Sequence, residues 1–150
     1  AYTMTSQKTK QSGFTIVELL IVIVIIGILA AIGFVSYSNA TKKARDTERA
    51  SDVKAISAKA EEYYASDPTN AGSYPADCGV LQGLNGLTAD TFHAPKGAAG
   101  SNCATSVPSA SSDVYQYATS STSGQPKFTI TYFSESKNNV ETYVSTEKNP

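Results

Sequence analysis

Hydrophobic residues change their spacing along the chain, and the longest uninterrupted run lies near the N-terminus. Leu19 to Val35 is seventeen residues without a polar side chain. At about 1.5 Å per residue, a helix over residues 14–36 reaches roughly 34 Å, enough to cross a hydrocarbon core of about 30 Å. Because apolar side chains surround this helix instead of forming one stripe, the run predicts a membrane span and not an interfacial helix.

Beyond the span, apolar residues recur every three or four positions, which predicts that the helix continues outside the membrane to about residue 66. Charged residues fill much of the rest, with opposite charges at helical spacing in Arg45–Glu48 and Asp46–Arg49. The basic residues from 42 to 49 could contact lipid head groups, phosphate or another subunit, although a solvated face interleaved with acids is the simpler interpretation. The predicted apolar face comprises Ala40, Ala44, Thr47, Val53, Ile56, Ala60, Tyr63 and Tyr64.

The rest of the chain predicts a small α+β domain. Residues 67–112 are interrupted by glycine and proline and read as a surface loop, with Leu81, Leu84, Leu87 and Phe92 tucking a short helical turn onto the core. Residues 113–146 predict an antiparallel meander that covers the helix at Val53, Ile56, Ala60 and Tyr63. Its three strands are Val114–Ala118, Lys127–Phe133 and Val140–Val144, joined by polar connections at 120–124 and 135–139.

Glu18 is a lone carboxylate at the mouth of the predicted span. Lys8 and Lys10 lie at least eight positions upstream, whereas helical side chains meet at separations of about three or four. We therefore expect no partner within the segment and look for one outside it, because an unpaired charge near a bilayer is costly. The alternative is that Glu18 lies among the lipid head groups and has no role.

The residues around Glu18 carry a resemblance to a known family. The segment resembles the leader and N-terminal helix of type IV pilins and of the pseudopilins of type II secretion and competence systems. The likeness is close over about residues 8–37 and looser up to Tyr74-Pro75. The residues that carry it are Lys8, Lys10, Gly13, Phe14, Thr15, Glu18, Leu19, Leu20, Gly27, Ile28, Leu29, Ala30 and Ala31.

The resemblance implies processing by a membrane peptidase that cuts between Gly13 and Phe14 and then methylates the new amine of Phe14. Residues 1–13 are then a leader, 14–36 a transmembrane helix and filament core, and 37–150 a pilin head. The cut converts an amide into a cationic amine four residues from Glu18. In a helical assembly, the Phe14 amine of one subunit could meet Glu18 of its neighbour, so Phe14 and Glu18 are the expected assembly residues.

The resemblance also implies a location and partners. The precursor is expected to cross the cytoplasmic membrane once with its N-terminus in the cytoplasm, in contact with lipid, and to become extracellular in the assembled pilus. Partners are then further copies in a helical homopolymer, the peptidase and methylase, and an assembly platform with motor ATPases. Cys78 and Cys103, the only cysteines, lie on the outer side and are expected to form a disulfide; free thiols or a metal pair are the alternatives.

Composition narrows the function classes further. A formal net charge of −1 argues against a dedicated nucleic-acid binder, although nucleic acid stays a low-ranking partner. Removal of Lys8 and Lys10 leaves ten basic against thirteen acidic side chains. The sequence contains no Gly-x-Ser-x-Gly motif and no phosphate-binding glycine loop. His93 is the only histidine and is expected to be exposed. The sequence therefore predicts neither an enzyme nor a metal or cofactor site.

Three functions remain after these exclusions. The first is a filament-building type IV pilin, the second a pseudopilin of a secretion or competence machine, and the third a membrane-tethered binding domain that never polymerises. A retained secretory signal peptide fits poorly, because its apolar region would be about 7 to 15 residues long and followed by the cleavage site. Extracellular fibres, short fibres confined to the envelope, and a processed monomer would distinguish the three functions.

Overall fold

The computed structural model describes residues 13–66, 72–97, 103–122 and 125–145. The secondary-structure elements within these ranges are α1 (Ile16–Ser66), α2 (Cys78–Gln82), a 3-10 turn (Ala89–Phe92), β1 (Cys103–Ala104), β2 (Tyr115–Thr122), β3 (Gln125–Ser134) and β4 (Asn139–Val144). The predicted α+β class is confirmed. The chain divides between Ser38 and Asn39 into two compact units, and each is described by itself.

The first unit contains the N-terminal part of α1 and exposes its apolar side chains. Ile28 and Leu29 are 58% and 63% exposed, and the large apolar residues from Phe14 to Val35 are all exposed. This part of α1 is long and apolar enough to cross a membrane. β-branched residues are weak helix formers in water, but a bilayer forces the backbone to satisfy its own hydrogen bonds, which favours this helix.

The second unit packs the C-terminal part of α1 against a four-stranded sheet. Strands β2, β3 and β4 form the predicted antiparallel meander, with Tyr117 opposite Ile130 and Ile130 opposite Tyr143. The two-residue strand β1 adds to β2 in parallel and was missed, because a run that short carries no periodicity. The connection predicted at 120–124 is too long, because β2 continues to Thr122 and β3 begins at Gln125.

The core of this unit joins α1, the loop region and the sheet. Val53, Ile56 and Ala60 are buried as predicted, and Leu81 and Phe92 of the loop region are fully buried with them. Leu84 and Leu87 pack against the same core. Tyr74 joins the core from the segment between α1 and α2, and the sheet contributes Tyr115, Tyr117, Phe128 and Ile130.

One part of the predicted apolar face is wrong. Ala40, Ala44 and Thr47 are exposed, whereas Arg49 is completely buried. The side of α1 that faces the rest of the unit is therefore polar before Val53 and apolar after it. Small and polar residues at helical spacing could not show this change, because alanine and threonine are compatible with either environment.

Candidate processing and assembly site

The sequence-predicted site residues of the first unit lie at the start of α1. Gly13 and Phe14 precede the helix, and the side chain of Phe14 is 85% exposed. No heavy atom lies within 4 Å of the position where a Cβ of Gly13 would be, beyond its chain neighbours. The junction between Gly13 and Phe14 is thus exposed and lies just before a helix, where a protease can reach it.

Thr15 and Glu18 bond reciprocally at the helix start. The Thr15 backbone N–H and hydroxyl donate to Glu18 Oε2 at 2.9 and 2.7 Å, and the Glu18 backbone N–H donates to Thr15 Oγ1 at 3.2 Å. This is a capping box, in which two side chains satisfy N–H groups left open at a helix start. The expectation that Glu18 has no partner within the segment is therefore wrong, and the Thr-x-x-Glu spacing was the signal that could have shown it.

The capping box does not neutralise Glu18. Thr15 supplies neutral donors, so the carboxylate keeps its full negative charge, and both bonds from Thr15 end on the same oxygen. A carboxylate has about four lone-pair sites and can accept further donors. The arrangement holds the Glu18 side chain in one place at the start of the helix while leaving it able to bind a cation.

The second unit contains an ionic cluster that sequence reasoning did not find. The Arg49 guanidinium is buried and binds Asp46 at 2.9 Å, Glu135 at 2.8 Å, and Asp113 through two nitrogens. Arg45 binds Glu135 instead of the predicted Glu48, in a bidentate pair with both distances 2.7 Å. The interpretation of the basic residues 42–49 as a solvated face is thus wrong for Arg49, whereas the predicted Asp46–Arg49 pair is confirmed.

The cluster changes the proton affinity of its members. Hydrogen bonds from Arg45 hold the pKa of Glu135 far below its usual range, against burial, and Lys96 and Arg49 lower it further. Burial acts to raise the pKa of Asp46, but donors from Ser136 and the backbone N–H of Glu135 outweigh it and lower that pKa to about 2. Glu135 and Asp46 therefore stay ionised, and the cluster links α1 to the β3–β4 turn and to the segment before β2.

The remaining predicted site residues lie in the loop region of this unit. Cys78 and Cys103 form a disulfide with their Cα atoms 5.8 Å apart, joining the start of α2 to β1. His93 follows the 3-10 turn and is half-buried. Among residues 13–66, 72–97, 103–122 and 125–145, no three His, Cys, Asp or Glu side chains converge in a way that could hold a metal ion.

Comparison with known proteins identifies the N-terminal segment. Residues 8–34 match the family model described as the prokaryotic N-terminal methylation motif. The motif includes the Gly13–Phe14 junction, the Thr15–Glu18 capping box and most of the exposed apolar run.

Relatives of the chain include proteins of two kinds. A fimbrial protein of Pseudomonas aeruginosa is 47% identical over 51 residues, which cover 34% of this chain and 33% of the relative. The type II secretion system core protein G of Pseudomonas aeruginosa is 40% identical over 57 residues, or 38% and 40% of the two chains. The type IV major pilin protein PilE of Neisseria gonorrhoeae is 39% identical over 69 residues, or 46% and 39%.

The similarity to these relatives covers about a third to a half of the chain. The matched segments span about a third to two fifths of these curated relatives. No solved structure matches the chain significantly. The chain is thus similar over part of its length both to pilins and to a secretion core protein.

Proposed function

We propose that this chain is the structural subunit of a type IV pilus, made as a membrane precursor, cut between Gly13 and Phe14, methylated on the new Phe14 amine and polymerised into a helical extracellular filament. One observation carries the proposal: a match to the methylation motif in which Glu18 begins an apolar run whose large side chains are all exposed. Residues 1–13 are the leader in this proposal, 14–36 the membrane span and filament core, and 37–150 the head.

Exposure of the apolar run supports the polymerisation step. Contiguous apolar surface of this size has to be covered by lipid or by protein, because water does not solvate it favourably. In the membrane, lipid covers it. In a filament, the same residues of neighbouring copies would cover one another, so no new hydrophobic surface is needed to move the subunit from one environment to the other.

Glu18 supports the pairing between neighbouring copies. In a filament core, water no longer screens the carboxylate, and the neutral donors of Thr15 do not cancel its charge. Cleavage after Gly13 turns the Phe14 nitrogen into a cationic amine, which supplies the missing charge. Pairing with the amine of another copy fixes the axial position of the incoming subunit, whereas slippage by one helical turn would leave both charges buried and unpaired.

The partners in this proposal follow from its steps. A peptidase that also methylates would act on the Gly13–Phe14 junction, and an assembly platform with motor ATPases would move the subunit out of the cytoplasmic membrane. The relative named as a type II secretion system core protein favours a second candidate, a pseudopilin that forms short fibres within the envelope. Extracellular fibres that contain this chain would select the pilin, and fibres confined to the envelope would select the pseudopilin.

A substitution at Glu18 separates charge from helix capping. Glutamine can replace glutamate in a capping box, so Glu18→Gln keeps the bonds to Thr15 and removes only the negative charge. We expect this variant to be inserted in the membrane but to lose fibres. Glu48→Gln makes the same chemical change at an exposed position of α1 in the second unit and should assemble normally. Fibres at native levels in the Glu18 variant would contradict the pairing.

Processing is tested at the junction itself. The chain purified from its native host should begin at Phe14 and carry one added methyl group, as measured by mass spectrometry. Gly13→Leu places a side chain where the structure has open space, so a failure of cleavage in this variant reflects recognition by the peptidase and not misfolding. An intact leader on the native, assembled chain would refute the processing step.

A further inference from the structure

An asparagine–glycine junction lies in the exposed loop that follows α2. Asn85 and Gly86 are both exposed, and Gly86 has a φ of +93°, which glycine adopts without strain. The backbone N–H groups of Leu84 and Leu87 on either side donate to Leu81 and Leu84 carbonyls at 3.1 and 3.4 Å. Within the part of the chain that the structure describes, the N–H of Gly86 makes no such bond.

Lys59 of α1 lies beside this junction. A Cβ placed on Gly86 would be 3.2 Å from Lys59 Nζ and 3.0 Å from its Cε, so the ammonium group lies almost against the Gly86 backbone. Lys59 also binds Glu62 at 2.7 Å. Lys59, Glu62 and Asn85 line an open cleft of about 360 Å³ that solvent can enter.

We propose that Asn85 is a site of covalent modification, a spontaneous deamidation that the neighbouring Lys59 accelerates. The Gly86 nitrogen attacks Asn85 Cγ and gives up its proton, ammonia leaves, and a five-membered succinimide forms. Water then opens the ring at either carbonyl, which yields aspartate or isoaspartate at position 85. The net reaction consumes one water and releases one ammonia, with no oxidation or reduction.

Four features of the site favour this reaction. Glycine has no Cβ to obstruct the attack on the preceding side chain. The Gly86 N–H has no backbone hydrogen bond to break among the described residues, and the cleft admits water to the ring. In the proposed reaction the Lys59 ammonium, which lies beside Gly86, stabilises the oxyanion that develops at the adjoining Asn85 Cγ, because a nearby cation lowers the energy of a charge that appears in the transition state.

The product changes the charge of the cleft. Each conversion adds one carboxylate beside Lys59, where it competes with Glu62 for the ammonium group. A long-lived copy of the chain would therefore differ from a new one by one negative charge at this surface. This inference does not depend on the proposed function, because it requires only the local geometry of Asn85, Gly86 and Lys59.

The test is peptide mapping by mass spectrometry of the full chain, incubated in detergent micelles in H₂¹⁸O at mildly alkaline pH. Position 85 should gain one ¹⁸O as aspartate and isoaspartate, at least about tenfold faster than Asn39. Asn39 is the internal control, because it lies within α1, where the N–H of Ala40 belongs to the helical hydrogen-bond ladder. Conversion of Asn85 no faster than that of Asn39 would overturn the proposal.

Variants of Lys59 test the acceleration separately. Lys59→Met should slow the conversion of Asn85 several-fold, Lys59→Arg should preserve it, and Lys42→Met, a distant control on α1, should have no effect. In urea, which separates position 59 from position 85, the methionine variant and the native chain should convert at the same rate. Equal rates for the Lys59→Met variant and the native chain under folding conditions would refute the role of Lys59.

Discussion

The buried guanidinium of Arg49 makes the sharpest prediction about the stability of the second unit. It makes four hydrogen bonds to three carboxylates, which come from α1, the segment before β2 and the β3–β4 turn. Arg49→Met keeps much of the apolar stem of the side chain and removes every one of these bonds. The perturbation therefore isolates the charge of the guanidinium from its packing.

The magnitude depends on what each carboxylate retains. Glu135 keeps Arg45 and Lys96, and Asp46 keeps the backbone N–H groups of Glu135 and Ser136 at 2.9 and 2.8 Å. Among the residues that the structure describes, Asp113 keeps only the Lys96 backbone N–H at 2.9 Å, and its side chain is 7% exposed. The uncompensated charge is thus concentrated on one residue, and we expect a loss of about 3 kcal/mol, the lower end of the range for breaking a buried ion pair.

Denaturant unfolding of the full chain in micelles measures this loss, followed by near-ultraviolet circular dichroism of the tyrosines. A companion thermal scan should show a decrease in Tm of about 10 °C. Lys43→Met removes an exposed cation from the same helix and should change stability by less than about 0.5 kcal/mol. Adding Asp113→Asn to Arg49→Met should recover at least about 1 kcal/mol, because it removes the stranded charge. If Arg49→Met and Lys43→Met unfold alike, the cluster does not stabilise the fold.

Three further predictions concern the same unit. The pKa of Asp46 is about 2 in the folded chain against an ordinary 3.8, so its ionised form stabilises the fold above pH 3.8. The free energy of unfolding should fall as the pH drops from 3.8 towards 2. This fall should be less steep in the Asp46→Asn variant. Tyr115→Phe should cost about 2 kcal/mol in denaturant unfolding, because the buried Tyr115 hydroxyl donates to Asp52 at 2.7 Å, and no loss would show that this bond does not contribute. Replacing Cys78 and Cys103 together by serine should lower the free energy of unfolding by about 3 kcal/mol, since the disulfide closes a 25-residue separation. Equal unfolding midpoints of the native chain with and without reductant would contradict this.

The sequence predicted those parts of the fold whose signal is local and periodic. The apolar run and the three-to-four spacing predicted α1 to within a residue of its observed end, and alternation predicted the meander β2–β3–β4. The capping box is equally local, because the Thr-x-x-Glu spacing is its sequence signature. The separation of Glu18 from Lys8 and Lys10 excludes a cationic partner within the helix but not this neutral one.

The ionic cluster could not be predicted in the same way. Asp113 and Glu135, which bind Arg49, lie 64 and 86 residues away from it along the chain. The helical pattern around Arg49 therefore does not indicate them. An arginine flanked by acids on a helix is far more often solvated than buried. Only the tertiary fold brings the loop before β2 and the β3–β4 turn onto this face of α1, and with them the charges that make burial of Arg49 favourable.

The pairing of charges between copies is tested most directly by the structure of the assembled fibre, determined by electron cryo-microscopy at a resolution that shows side chains. The account predicts that the chain begins at Phe14 and that its amine lies within about 4 Å of a Glu18 carboxylate oxygen of a neighbouring copy. A fibre in which Glu18 contacts only Thr15 of its own chain, or in which residues 1–13 are still attached, would contradict it.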